Sequence, residues 1–184
     1  MNDVEVAVPL APGFEELEAV AVVDVLRRAG LKTAFASLEA GPVVGSHGVA
    51  VVPDVTLDAL DASKLRAVVL PGGMPGAARL RDDPRVRRLV ADTARRGGVV
   101  AAVCAAPIAL AAAGVLSGRS ATCYPGFEAE LGDARVRADR VVTDGDVVTG
   151  KGPGAAAEFA LAVVARLKGA EAAAKIAAQM FVTR

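Results

Sequence analysis

Short valine-rich runs, each bounded by glycine or proline, alternate along the chain with longer stretches of helical spacing, and few folds tolerate that rhythm. The short runs are residues 4–10, 68–70 and 99–103. Their apolar side chains fill near-consecutive positions, which predicts strands covered on both faces, as in parallel sheets. Residues 15–29 place Leu17, Val20, Ala21, Asp24, Val25 and Arg28 at steps of three or four before Gly30, a helix with its stop. Residues 84–96 open with Asp83 as N-cap and Pro84 at the first helical position, and stop at Gly97-Gly98. Residues 155–167 and 170–180 read as two last helices around Gly169. Strand and helix in turn predict a doubly wound α/β domain, with a mostly parallel sheet and helices on both faces. Residues 43–53 and 140–149 break the rhythm as β excursions or hairpins, the second turning at Asp144-Gly145-Asp146.

The 184 residues suit one domain, 1–184, with no repeat or linker. With 53% hydrophobic residues the chain is not a disordered one. Its 21 basic and 21 acidic residues cancel, so neither a nucleic acid nor an anionic membrane is an expected partner. Two cysteines in a chain of this size point to free thiols in a reducing compartment, and a cytoplasmic location is expected. The N-terminus has no basic segment leading into a long apolar stretch, so no signal peptide is expected. Apolar runs fall well short of the ~18 residues of a membrane span.

In doubly wound sheets, ligands sit beyond the carboxyl ends of the strands, where strand order reverses. Chemistry is therefore expected in residues 11–18, 71–76, 104–107, 124–127 and 151–154. The run 99–103 leads straight into Cys104, and Ala105-Ala106-Pro107 starts a helix. That is the pattern of a nucleophile elbow, with Ala102 and Ala106 small enough for the backbones to approach. A helix N-terminus at the sulfur predicts a lowered thiol pKa. Cys123, in Thr122-Cys123-Tyr124, shows no elbow and reads as an inert buried thiol. Pro71-Gly72-Gly73 follows a strand and predicts free N–H groups in the crevice; Gly73 and Ala105 would be the two oxyanion donors. A phosphate-binding loop is the competing reading, but its Gly-x-x-x-x-Gly-Lys spacing is absent.

A sulfur nucleophile needs a base. His47 is the one histidine and serves only if its β excursion reaches the elbow; otherwise it is a surface-loop residue. The stronger candidates are Glu15 and Glu18, on one helix face directly after the first strand, with Glu16 pointing elsewhere. A Glu run at a helix start is also ordinary dipole pairing. A carboxyl held against Cys104 would have a raised pKa and share a proton with the sulfur.

The stretches Ala11-Pro12-Gly13-Phe14-Glu15-Glu16-Leu17-Glu18, Val69-Leu70-Pro71-Gly72-Gly73, Ala102-Val103-Cys104-Ala105-Ala106-Pro107 and Gly152-Pro153-Gly154 together resemble the ThiJ/PfpI superfamily. More narrowly, they resemble the branch of the Parkinsonism-associated protein deglycase (DJ-one) and its bacterial relatives. The resemblance implies a flavodoxin-like fold and a homodimer with active sites near the interface. It implies Cys104 as the reactive, oxidisable cysteine, Glu18 as the carboxyl on its sulfur, and Glu15 beside it at the pocket mouth. It implies Gly73 and Ala105 as backbone donors, with Arg28, His47, Tyr124 and Pro153 lining the pocket or interface. Tyr124 stands where human-type members carry a histidine, and Ala105 where peptidase-like members carry one. The C-terminal His and Glu of related amidotransferases are missing, so the hydrolase readings lose their base. What remains implied is a glyoxalase or deglycase acting on reactive dicarbonyls or glycated adducts, with no cofactor and no metal. The alternative is a redox sensor or holdase chaperone working through oxidation of Cys104 to the sulfinate.

Overall fold

Every side chain of the three innermost strands is buried, because helices cover the sheet from both sides. The computed structural model describes residues 3–182. The strands are β1 (Val6–Leu10), β2 (Thr33–Ser37), β3 (Val43–Val44), β4 (Ala50–Val51), β5 (Val55–Thr56), β6 (Ala67–Leu70), β7 (Val99–Val103), β8 (Ser120–Ala121), β9 (Arg135–Val136), β10 (Val141–Asp144) and β11 (Val147–Gly150). The helices are α1 (Glu16–Arg28), α2 (Gly76–Asp82), α3 (Pro84–Arg95), α4 (Pro107–Ala112), α5 (Ala156–Lys168) and α6 (Ala170–Gln179). Seven strands form the main sheet in the order β10-β11-β7-β6-β1-β2-β5, parallel except for the β10–β11 edge pair. One face packs α2, α3 and α4 around residues such as Leu80, Val90 and Leu110; the other packs α1, α5 and α6 around Phe14, Leu26 and Phe159. This is the doubly wound α/β architecture the residues predict, and the flavodoxin-like one the resemblance implies.

The expected helices are present to within a residue or two. Asp83 caps α3, accepting from the Arg85 N–H at 2.8 Å, with Pro84 in the first turn. Two elements depart from expectation. Residues 33–37, Thr-Ala-Phe-Ala-Ser, form a fully buried strand that the hydrophobic pattern does not announce. Gly76–Asp82 forms a separate helix before α3. The segment 140–149 is the expected hairpin turning at Asp144-Gly145-Asp146; the sequence does not announce that β11 also joins the main sheet parallel to β7.

Strand order reverses between β1 and β6, since the chain goes from β1 outward to β2 on one side and reaches β6 and β7 on the other. The carboxyl ends of β1, β6 and β7 therefore meet at one crevice. Those ends carry Glu15 to Glu18, Gly72-Gly73 and Cys104.

Candidate active site

Cys104 follows β7 directly and has φ +62, the left-handed region that β-carbon-bearing residues avoid. The strain is what turns the chain sharply enough to lift the thiol out of the strand and into the crevice, as a nucleophile elbow requires. The Cys104 N–H still closes the sheet, donating to Gly150 O at 2.9 Å. Glu18 lies in the first turn of α1, wholly buried, and its Oε2 accepts from the Gly72 N–H at 2.8 Å. Gly72 is the contact point of the pair: a Cβ there would fall 2.5 Å from Cys104 Cβ and 2.8 Å from Glu18 Oε2. Glu18 Oε1 is buried with no hydrogen-bond partner of good geometry. It is the carboxyl oxygen left over to carry or deliver a proton.

The electrostatics correct one expectation. Burial pushes the Cys104 thiol up to about 12, and the neighbouring Glu18 carboxylate adds to the rise. The Gly73 and Ala105 N–H groups pull the other way but do not prevail. Burial of the sulfur, and then the charge of Glu18 beside it, outweigh the pull of a helix start at the thiol. Glu18 is itself raised to about 7, by burial first and by the charge of Glu15, against the Gly72 N–H and the Cys104 hydrogen bond. Two acids in contact thus share a proton, and the Glu18 carboxylate is the acceptor beside the sulfur when the thiol gives up its own. Gly73 and Ala105 are where expected, with their N–H groups directed at the sulfur. Cys123 is raised to about 11, chiefly by burial, and its side chain belongs to the opposite face of the sheet from Cys104.

Glu16 points away from the crevice, as expected, but it is far from idle. The turn between β3 and β4 folds over it: His47 and Val49 N–H donate to Oε1 at 2.7 and 3.3 Å, Ser46 Oγ to Oε2 at 3.3 Å, and His47 Nδ1 lies 3.0 Å from Oε2. Burial opposes its ionisation, yet its own backbone N–H and the His47 and Val49 groups outweigh this and draw it to about 2. The hairpin therefore reaches α1, and His47 meets Glu16 and Glu15 (Nδ1 to Oε2, 3.4 Å) rather than the sulfur. These contacts raise the His47 pKa. Glu15, Glu16 and His47 bring ligand atoms within 4.8 Å of one another, the one trio of metal-ligating type among the described residues. The hydrogen bonds just described already occupy the Glu16 carboxylate.

Residues 4–166 match the model of the DJ-1/PfpI family. The chain belongs to that family. It is 41% identical over 176 residues to Protein dj-1beta of Drosophila melanogaster, covering 94% of each chain. The oxidized DJ-1 of Toxoplasma gondii superposes with a TM-score of 0.93 at 38% identity, over 98% of this chain and 100% of that one. The glutathione-independent glyoxalase DJR-1.2 of Caenorhabditis elegans is 36% identical over 159 residues, 85% of this chain and 84% of that protein.

The outer residues of this DJ-1/PfpI chain lie around the Cys104–Glu18 pair at varying remove. Tyr124 donates its backbone N–H to Cys104 O at 2.8 Å, and its half-exposed ring lies against Gly152, where a Cβ would be 3.2 Å from the ring. Pro153 follows Gly152 in a turn that, with Tyr124, lines a shallow hollow. Arg28, at the far end of α1, forms an exposed ion pair with Asp24 at 2.7 Å. Two contacts of the candidate site escaped the sequence reading: Gly72 as Glu18's hydrogen-bond donor, and Ser46 on Glu15 and Glu16. Gly72 carries a signal, being the first glycine of a pair after a strand; Ser46 carries none.

Proposed function

We propose that the chain is a cofactor-independent glyoxalase converting 2-oxoaldehydes such as methylglyoxal to 2-hydroxy acids. Deglycation of the corresponding adducts would use the same first step. The observation that carries the reading is Cys104 on a strained elbow against a buried carboxyl poised near neutrality. The C. elegans relative named a glyoxalase supports the substrate class.

In this reading the sulfur attacks the aldehyde carbon as its proton passes to Glu18, and Glu18 returns that proton to the new alkoxide, leaving a hemithioacetal. The Glu18 carboxylate then takes the proton from the former aldehyde carbon, giving an enediolate, and delivers it to the neighbouring carbon. The product is a 2-hydroxy thioester. Water hydrolyses it to lactate and frees the thiol, so one methylglyoxal and one water become one lactic acid. No oxidant or reductant enters. A homodimer in the cytoplasm, a reducing compartment that suits a free thiol, completes the proposal.

The test is methylglyoxal consumption and lactate formation at micromolar protein. Wild type should turn over many equivalents and Cys104→Ala none. A redox-sensor role is favoured by one feature, the two N–H groups at the sulfur, which would also hold sulfinate oxygens. Absence of turnover, together with quantitative peroxide oxidation at Cys104, would decide for the sensor.

A further inference from the structure

One helical turn brings three carboxyls to this site, and two of them are spoken for. Glu18 sits against the sulfur, and Glu16 is consumed by the hairpin. Resting on the proposed carbonyl chemistry, we propose that Glu15 sets the charge of the substrate, admitting neutral or cationic carbonyls and turning away anionic ones such as 2-oxo acids.

Glu15 is seated on the same two-glycine loop that builds the site. Its N–H donates to Gly72 O at 2.8 Å, and a Cβ on Gly73 would come within 2.3 Å of its nitrogen. Gly72 and Gly73 are the residues whose N–H groups act on Glu18 and on the sulfur. The Glu15 side chain is only 14% exposed, so its charge is poorly screened, and that charge acts on Glu18. Among the described residues, the cation-forming group paired with it is His47, at 3.4 Å. His47 lies closer to Glu16, at 3.0 Å, and is 71% exposed, so it offsets little of the Glu15 charge. The charge from outside the Cys104–Glu18 pair that acts on Glu18 is therefore negative, that of Glu15. An incoming carboxylate meets this field with only the partial offset of His47, whereas a neutral aldehyde or a guanidinium-borne adduct is not repelled by it.

Alkylation of Cys104 tests this without requiring catalytic turnover. Iodoacetamide and iodoacetate perform the same substitution on sulfur and differ in charge. Rates at Cys104, read by mass spectrometry, are divided by the rates of each reagent with glutathione. Wild type should favour the neutral reagent by about tenfold, the order expected for one partly screened charge. Glu15→Gln should cut that preference to near unity, and Glu15→Asp should keep most of it. Raising the salt from about 0.05 to about 0.5 M should compress it in wild type, a check that does not depend on how any variant folds. Equal normalised rates in wild type would overturn the proposal, as would an unchanged ratio in Glu15→Gln. Failure of both reagents to reach Cys104 would overturn it too, since a site open to neutral carbonyls must admit the amide. Loss of methylglyoxal turnover with the charge preference intact would instead sink the glyoxalase reading alone.

Discussion

Glu18 combines two roles that pull against each other. A wholly buried carboxyl with one oxygen on Gly72 and the other unpartnered is held near half-ionisation at neutral pH, which suits proton transfer and costs stability. Its folded pKa, about 7, lies above the unfolded value of 4.5, so the folded state binds the proton more tightly. Its stabilising contribution is whole below pH 4.5 and is lost as pH rises through 7. Glu18→Gln should therefore stabilise the protein at pH 8, by on the order of 3 kcal/mol at most, and leave it nearly unchanged at pH 4. Urea titrations at the two pH values read this directly; destabilisation at pH 8 would mean the carboxylate is well solvated. The same variant should lose about 10²-fold or more in dicarbonyl turnover, the range for removing a general acid–base group. Tyr124→Phe should cost little, because a phenol of reference pKa about 10 is a poor base. Cys104 and Glu18 were legible because a strand–turn–helix pattern and a Glu after a strand end have one chemical meaning when they meet. The thiol's acidity was not, since it depends on how deeply Glu18 is buried beside it.

The elements that position these residues were legible where burial is expressed as valine. β1, β6 and β7 announce themselves, and their ends define the crevice. β2 does not, because Thr33, Ala34, Phe35, Ala36 and Ser37 give neither an apolar run nor an alternation, although the structure buries all five. Four of the five are small and fit a strand sandwiched between β1 and β5, a tertiary constraint that no local pattern carries. The hairpin 43–51 was visible as β structure, but its docking on Glu16 rests on four contacts that a Glu in a first helical turn, normally read as dipole pairing, does not advertise. Between β6 and α2, the loop at Gly72 is where strand end, helix start and elbow come closest. A methyl group at Gly72 would stand 2.9 Å from Val103 O as well as against Cys104 and Glu18, and backbone cannot easily retreat. Gly72→Ala should thus destabilise the fold by about 1–3 kcal/mol and abolish turnover even where the protein remains folded. Near-normal turnover would show that the pair is more loosely held than the geometry implies.

At the scale of the whole molecule, charge is balanced and the apolar surface is not evenly spread. Leu17 and Val20 on the outer face of α1 are 58% and 50% exposed, and Val44 and Val49 on the hairpin 49% and 55%. The hairpin is pinned to the start of α1 through Glu16, and Gly13 N–H donates to Val44 O at 2.8 Å, so these side chains belong to one neighbourhood. Apolar clustering of this kind, rimmed by Glu15 and His47, is the usual mark of an interface. A second copy of the chain is the proposed occupant, since a symmetric dimer buries the same patch twice. Sedimentation at micromolar concentration should give a dimer of the 18.5 kDa chain, and Leu17→Glu with Val20→Glu should give a monomer with unchanged circular dichroism. Both substituted positions are solvent-exposed in the single chain, so loss of fold is not expected to confuse the result. A wild-type monomer at that concentration would end the dimer proposal. The double variant also asks whether one chain suffices for catalysis. Cys104, Glu18, Gly72 and Gly73 all come from the same chain. The monomer should accordingly keep measurable turnover, with a fall in kcat/KM tracing whatever the partner adds at the pocket mouth.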